Sequence, residues 1–320
     1  MKTIVAFLKL IRWPNLFFIT LTQCLFYYCI VAHVQNTLFL SIHNDNRSDF
    51  YFFLLVLSSI LIAAAGYIIN DYFDLQIDSI NKPEKLVVDK AVKRRWAIIF
   101  HLCFSFLGIL IGGFISMKTG KWIIVIANFI CVLLLWFYST TFKRKLLTGN
   151  VMISLLTAWV IVVVYYFAGA NMLNYRGWNV EAYPFNIKKL YQLTIMYAGF
   201  SFIISLVREV VKDLEDMQGD AQFDCQTIPI TWGVPAAKLF VAVWLVVAAA
   251  SLMVIEIYAW QSGSWIFALY NIVFIVIPLL FVLKKIFLAV SSKDYHRIST
   301  QLKMIMLAGI ISMLFFKFIV

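Results

Sequence analysis

Charge is scarce in this chain. Asp, Glu, Lys and Arg make up 13% of its 320 residues, where a soluble domain carries about 25%. Hydrophobic residues account for 63% and mean hydropathy is +0.89. This composition excludes an ordinary soluble domain and indicates an integral membrane protein. Paired-cysteine signals are also missing: Cys24, Cys29, Cys103, Cys131 and Cys225 show no C-x-x-C spacing. Four of them fall in apolar runs, where cysteine behaves as a small hydrophobe, which argues against a disulfide framework or a zinc site. A small-residue cleavage site is lacking after the first apolar run, which Lys9, Arg12 and Pro14 interrupt. No cleavable signal peptide is therefore expected, and the first spanning helix begins after Asn15. No low-complexity tail or soluble domain is present, and no sequence repeat stands out, although two acidic motifs about 140 residues apart hint at an old duplication.

What is present is a series of apolar stretches, each near the roughly 20 residues needed to cross a bilayer. Nine are predicted, at about 15–35, 50–76, 96–116, 121–140, 150–170, 189–215, 235–258, 264–284 and 302–319, with a kink expected at Pro278. They form a single membrane-embedded, all-α domain over residues 1–320. The net charge of +11 requires no nucleic acid, because Lys and Arg collect at the cytoplasmic ends of membrane helices. With the N-terminus inside, 17 Lys and Arg fall on the cytoplasmic side and 7 on the other, leaving aside Arg208, Lys212 and Lys238. The expected topology is N-terminus in and C-terminus out, in the cell inner membrane if the source is bacterial.

Against this background the 16 acidic residues are unevenly spread, and half of them lie in two short stretches. The first is Asn70-Asp71-Tyr72-Phe73-Asp74-Leu75-Gln76-Ile77-Asp78, and the second runs from Arg208-Glu209 through Lys212-Asp213-Leu214-Glu215-Asp216 to Asp220. Ionisable groups at membrane depth mark function by default. Both stretches fall at the inner ends of helices that run from outside to inside, so a single site between them is geometrically reasonable. Asn70, Asp74 and Asp78 are spaced i, i+4, i+8 and share one helical stripe, as do Arg208, Lys212, Asp216 and Asp220. Stacked carboxylates repel one another, and a divalent cation relieves the repulsion. Mg²⁺ prefers one or two carboxylates, waters and substrate phosphate oxygens. The pattern fits a diphosphate bridged by metal ions, with Arg and Lys alongside. A solvated helix end would explain one such cluster more readily than two in register on one face.

The pair Asn70-Asp71-x-x-Asp74-x-x-x-Asp78 and Asp216-x-x-x-Asp220 resembles the two signature motifs of the UbiA superfamily of intramembrane prenyltransferases. Arg12-Trp13-Pro14-Asn15 resembles that family's opening Arg-x-x-Asn. Tyr138-Ser139-Thr140-Thr141-Phe142-Lys143-Arg144, followed by Gly149-Asn150, resembles its segment after the fourth helix. The resemblance implies nine helices around a central cavity with a cytoplasmic cap, and Mg²⁺-dependent transfer of a prenyl group from a polyprenyl diphosphate to a lipophilic acceptor. It implies metal ligation by Asn70, Asp74, Asp78, Asp216 and Asp220. Diphosphate contacts would come from Asn70, Lys143, Arg144, Arg208, Lys212 and Asp213, with Asp71, Lys212 and Arg208 at the reacting end. Aromatic faces stabilise an allylic cation through cation–π attraction, and Tyr67, Tyr72 and Tyr138 lie near the motifs.

The second motif looks most like the branch resembling digeranylgeranylglyceryl phosphate synthase, which alkylates a glycerol phosphate ether lipid. Aromatic quinone precursors and haem are the alternative acceptors within the family. The first motif departs from the family where Asn81-Lys82-Pro83-Glu84-Lys85-Leu86 replaces an Arg-Pro-x-Arg-Pro run, and Lys lacks the bidentate fork of Arg. A cation or carboxylate transporter is a further alternative, although transporter sites tend to sit near the bilayer midplane. A CDP-lipid phosphotransferase would need one Asp-rich motif with internal Gly and Arg, and neither cluster reads so. His33, His43, His101 and His296 read as interface or packing residues.

Overall fold

The computed structural model describes residues 2–36, 46–81, 87–173 and 183–318. The run 82–86, His43 and five of the cations that set the orientation (Lys2, Arg47, Lys82, Lys85 and Arg176) are outside what it describes; for Lys2 and Arg47 this means the side chain. Among the described residues nine helices are long and apolar enough to cross a membrane. They are α1 (Trp13–Val34), α2 (Ser48–Phe73), α3 (Arg94–Thr119), α4 (Trp122–Thr140), α5 (Thr148–Ala168), α6 (Lys188–Gln222), α7 (Val234–Gln261), α8 (Trp265–Leu288) and α9 (Ser292–Lys317). The expected all-α architecture and the number of spans hold.

Three local differences from the sequence expectation have physical causes. The last span begins at Ser292 rather than near 302, because a capping box starts it among polar residues. Ser291 accepts from the Asp294 backbone N–H at 3.3 Å, and the Asp294 carboxylate accepts from Ser291 N–H at 3.0 Å. These bonds satisfy two donors that helix starts leave open, and hydropathy alone does not register them. The sixth span runs on to Gln222, so the whole second acidic cluster rides one uninterrupted helix. Ahead of Pro278, α8 widens into a π segment at Ile272–Val276. Proline removes a backbone donor and crowds the preceding turn, and a π segment is one way a helix absorbs such a disturbance.

The chain divides into two compact units, one of residues 1–143 and 159–194, the other of residues 144–158 and 195–320. In the first, α2, α3 and α4 pack through small residues. Ser58 donates to the Gly108 carbonyl at 2.8 Å, and Asn128 donates to Ser58 Oγ at 2.8 Å and to the Gly108 carbonyl at 3.2 Å. Close backbone approach with polar cross-links is how helices associate in lipid, where burial of apolar surface gives no advantage. A nine-residue helix, Lys2–Leu10, precedes α1. Its Leu10 is fully buried in a cluster with Ile68, Val87, Val88 and Ala97. The second unit holds an apolar core contributed by α6, α7, α8 and α9, including Val207, Val211, Leu245, Leu279 and Leu302. This core fixes the α6 face opposite its charged stripe.

A Cβ added at Gly108 would stand 2.6 Å from Ile62 Cγ1. Gly108→Val is therefore expected to lower stability by about 1–3 kcal/mol, as overpacking does. Thermal unfolding of purified protein in detergent checks this; an unchanged midpoint would show that α2 and α3 do not need the small residue.

Candidate functional site

The first cluster lies where α2 ends. The helix bends at Asp74 and resumes as Leu75–Asn81. The bend keeps the i to i−4 backbone bonds, Asp74 N–H to Asn70 O at 2.9 Å and Asp78 N–H to Asp74 O at 2.8 Å. The register linking Asn70, Asp74 and Asp78 therefore survives the joint. Asn70 and Asp74 are buried, 7% and 3% exposed, and Asn70 Nδ2 donates to Asp74 Oδ2 at 2.6 Å. The other amide oxygen, Asn70 Oδ1, is buried without a hydrogen-bond partner.

Cations meet two acids here, the buried Asp74 and the half-buried Asp71. Lys143, in the Phe142–Arg144 turn after α4, donates to Asp74 Oδ2. Arg12 binds Asp71 Oδ1 at 2.5 Å, and its guanidinium lies 5.2 Å from the Tyr67 ring centroid. Burial alone would lower the Lys143 ammonium pKa, but Asp74, then Tyr138 and Asp78, raise it well above the usual lysine range. Burial opposes the Arg12 charge in the same way, and Asp71 with Tyr67 more than reverses it. Burial, reinforced by the Asp74 carboxylate, pushes Asp78 up to about 6. Aromatic rings pack beside these groups: Tyr72 meets Phe73 edge-on at 5.2 Å, and Phe73 meets Trp136 at 5.9 Å.

Arg12 reaches this cluster through strained backbone. After the Lys2–Leu10 helix the chain turns into α1 with Arg12 at φ 51°, ψ 52°. That left-handed conformation is uncommon outside glycine, asparagine and aspartate. Leu10, packed against Ile68 and Ala97, anchors the turn.

The second cluster runs along the C-terminal end of α6. Lys212 binds Glu209 Oε1 at 2.5 Å, and Arg208 approaches the same oxygen at 3.6 Å. Arg208 Nε is buried without a hydrogen-bond partner. Asn150, buried at the start of α5, donates to Asp213 Oδ2 at 2.8 Å. His296 on α9 meets Glu215 Oε1 at 3.0 Å. Asp216 is half-buried and Asp220 buried. The Asp220 carbonyl accepts from Phe223 and Cys225, closing the helix, and Gln226 N–H donates to the Arg144 carbonyl at 2.8 Å. The Arg144 side chain is exposed.

Of the predicted residues, Asn70, Asp74, Asp78 and Lys143 thus gather in one cluster, and Arg208 and Lys212 meet in a second through Glu209. Sequence reasoning did not assign partners to Arg12, Asn150, Glu209 or His296. For Arg12 and Asn150 a signal existed, since both stand in segments that matched a family pattern. Nothing local pointed to Arg12–Asp71 or Asn150–Asp213, which lie 59 and 63 residues apart.

Among the described residues no three His, Cys, Asp or Glu side chains converge into a ready-made metal cage. The donor set nevertheless suits Mg²⁺, which takes hard oxygens, few carboxylates and the phosphate oxygens of its substrate. Asn70 Oδ1 is such an oxygen, buried and without a partner.

Comparison with known proteins converges on one family. A model of the UbiA prenyltransferase family matches residues 13–307. Digeranylgeranylglyceryl phosphate synthase of Methanosphaera stadtmanae is 27% identical over 268 residues, 82% of this chain and 87% of that protein. A solved structure of digeranylgeranylglyceryl phosphate synthase in membranes aligns with TM-score 0.60 and 22% identity, over 98% of this chain and 99% of the other. A UbiA homologue from Archaeoglobus fulgidus, solved with DMAPP and Mg²⁺, aligns with TM-score 0.59 and 15% identity over the same shares.

Removing the cation beside a buried carboxylate leaves that charge uncompensated. Lys143→Met is expected to cost about 3–5 kcal/mol of stability, and adding Asp74→Asn to recover most of it. Thermal unfolding of the two single variants and the double variant forms the cycle; additive losses would show that the pair is not coupled.

Proposed function

The chain belongs to the UbiA prenyltransferase family, and from that premise we propose that it transfers a prenyl group from a polyprenyl diphosphate to a geranylgeranylglyceryl phosphate-type ether lipid, with Mg²⁺. The observation that carries the reading is the first cluster: a buried Asn70–Asp74 pair with one amide oxygen unpartnered, set between two cations. Sequence similarity to digeranylgeranylglyceryl phosphate synthase over most of both chains supports the acceptor class.

In this reading Asn70, Asp74 and Asp78 hold one metal–diphosphate unit, and Asp216 and Asp220 hold the other. Mg²⁺ supplies Lewis-acid stabilisation of the negative charge that grows on the departing diphosphate. The chain's own cations add to it. Lys212 and Arg208 act at the reacting end, and the unpartnered Arg208 Nε is a donor held ready for an anionic oxygen. Lys143 and Arg144 bind diphosphate oxygens from the neighbouring segment. Lys143 exchanges Asp74 for phosphate once the carboxylate is otherwise engaged. Asp71, fixed by Arg12, and Asp213, fixed by Asn150, are orienting carboxylates. Because these groups are in place beforehand, little reorganisation is needed at the moment of reaction. The rings of Tyr67, Tyr72 and Tyr138 offer electron-rich faces to an allylic cation. The Lys and Arg distribution supports a cytoplasmic N-terminus and a cytoplasmic position for both acidic clusters.

The test is prenyl transfer by purified protein, with mass detection of product, using polyprenyl diphosphates of several chain lengths and ether-lipid, aromatic and haem acceptors. Ether-lipid alkylation is expected, and turnover of the aromatic or haem acceptors alone would overturn the acceptor assignment. Asp74→Asn and Asp216→Asn are each expected to lower kcat by about 10²-fold or more in protein that still folds. Full activity in either variant would remove that residue from the site. Chelation with EDTA should stop turnover and added MgCl₂ should restore it; turnover that persists under chelation would exclude the metal.

A further inference from the structure

Away from both acidic clusters, the second unit buries another carboxylate inside a span. Glu256 on α7 is 2% exposed and Asn271 on α8 is 3% exposed. Asn271 Nδ2 donates to Glu256 Oε1 at 2.9 Å. Each side chain keeps one buried oxygen without a hydrogen-bond partner, Glu256 Oε2 and Asn271 Oδ1. Both residues line a small cavity together with Tyr197, Phe200, Gly309 and Ser312. About 20 Å³ of it is open to a water-sized occupant, which is room for one water or an ion of similar size.

The cavity's hydroxyls do not answer these oxygens. Ser312 Oγ donates its single proton to the Gly309 carbonyl at 2.7 Å, so at 3.0 Å from Tyr197 it accepts from the phenol. Buried acceptors that remain unsatisfied are costly, and a buried carboxylate without a counter-charge is costlier still. The backbone beside the pair also departs from regular helix, since the π segment Ile272–Val276 follows directly on Asn271. Such single-turn π segments occur often at functional sites.

We propose that Glu256 and Asn271, with the Tyr197–Ser312 hydroxyl pair beside them, form a binding site for one small monovalent cation, for which Na⁺ is the probe. A cation answers both needs, taking up the two free oxygens and neutralising the one carboxylate. A single positive charge balances Glu256, whereas a divalent ion would leave an excess charge in an apolar surrounding. Among the described residues no group of three His, Cys, Asp or Glu side chains stands ready to hold such an ion. The site is independent of the prenyl-transfer reading, because none of its residues belongs to either acidic cluster.

Thermal unfolding of the purified full chain in detergent, in NaCl against choline chloride at equal ionic strength, tests it. Na⁺ is expected to raise Tm saturably by about 2–4 °C. Glu256→Gln should fold and lose this response, and Asn271→Leu should shift its midpoint to higher Na⁺. Equal Tm in the two salts for the unaltered protein, or an undiminished Na⁺ response in Glu256→Gln, would overturn the proposal. A Tm that follows pH with no Na⁺ effect would do the same, by showing that the cavity holds a neutral acid and water.

Discussion

A carboxylate at the edge of a bilayer must be matched, and most of the site follows from that requirement. Desolvating an unpaired charge costs more than a marginally stable fold can spare. The structure answers it carboxylate by carboxylate: Asp74 has Lys143 and Asn70, Asp71 has Arg12, Glu209 has Lys212 and Arg208, and Asp213 has Asn150. Three of these partners arrive on segments remote in sequence, the turn entering α1, the turn after α4 and the start of α5. The placement of those segments is accordingly part of the site. The N-terminal helix, modest in size, earns its position by delivering Arg12.

The same matching keeps the charged groups in register, with Lys143 on Asp74, Arg12 on Asp71, and Lys212 and Arg208 on Glu209. Two atoms among these groups have no hydrogen-bond partner, Asn70 Oδ1 in one unit and Arg208 Nε in the other. The first is an acceptor suited to a hard cation and the second a donor suited to an anion.

Much of this was legible in the sequence. Helical spacing alone aligned Asn70, Asp74 and Asp78, and the register held because the bend at Asp74 kept its backbone bonds. The nine spans followed from apolar length. The long-range pairings were not legible, since no periodicity links Arg12 to Asp71 or Asn150 to Asp213. The start of α9 was misplaced by about ten residues because a capping box is a hydrogen-bond signal inside a polar stretch, invisible to a hydropathy reading. The Glu256–Asn271 pair was missed for the opposite reason: single polar residues in two apolar runs carry no local pattern until the helices are brought together.

The left-handed turn at Arg12 sets two selections against each other. Backbone conformation alone favours glycine or asparagine at φ 51°, residues that relieve the turn at that point. Only a side chain that spans from the turn to Asp71 with a planar, always-charged fork keeps the carboxylate matched. Position 12 is therefore one where backbone strain and charge matching choose different residues. Glycine there would relax the turn and strand the carboxylate, and arginine keeps the pair in a left-handed turn, so the joint shows which of the two costs is the larger.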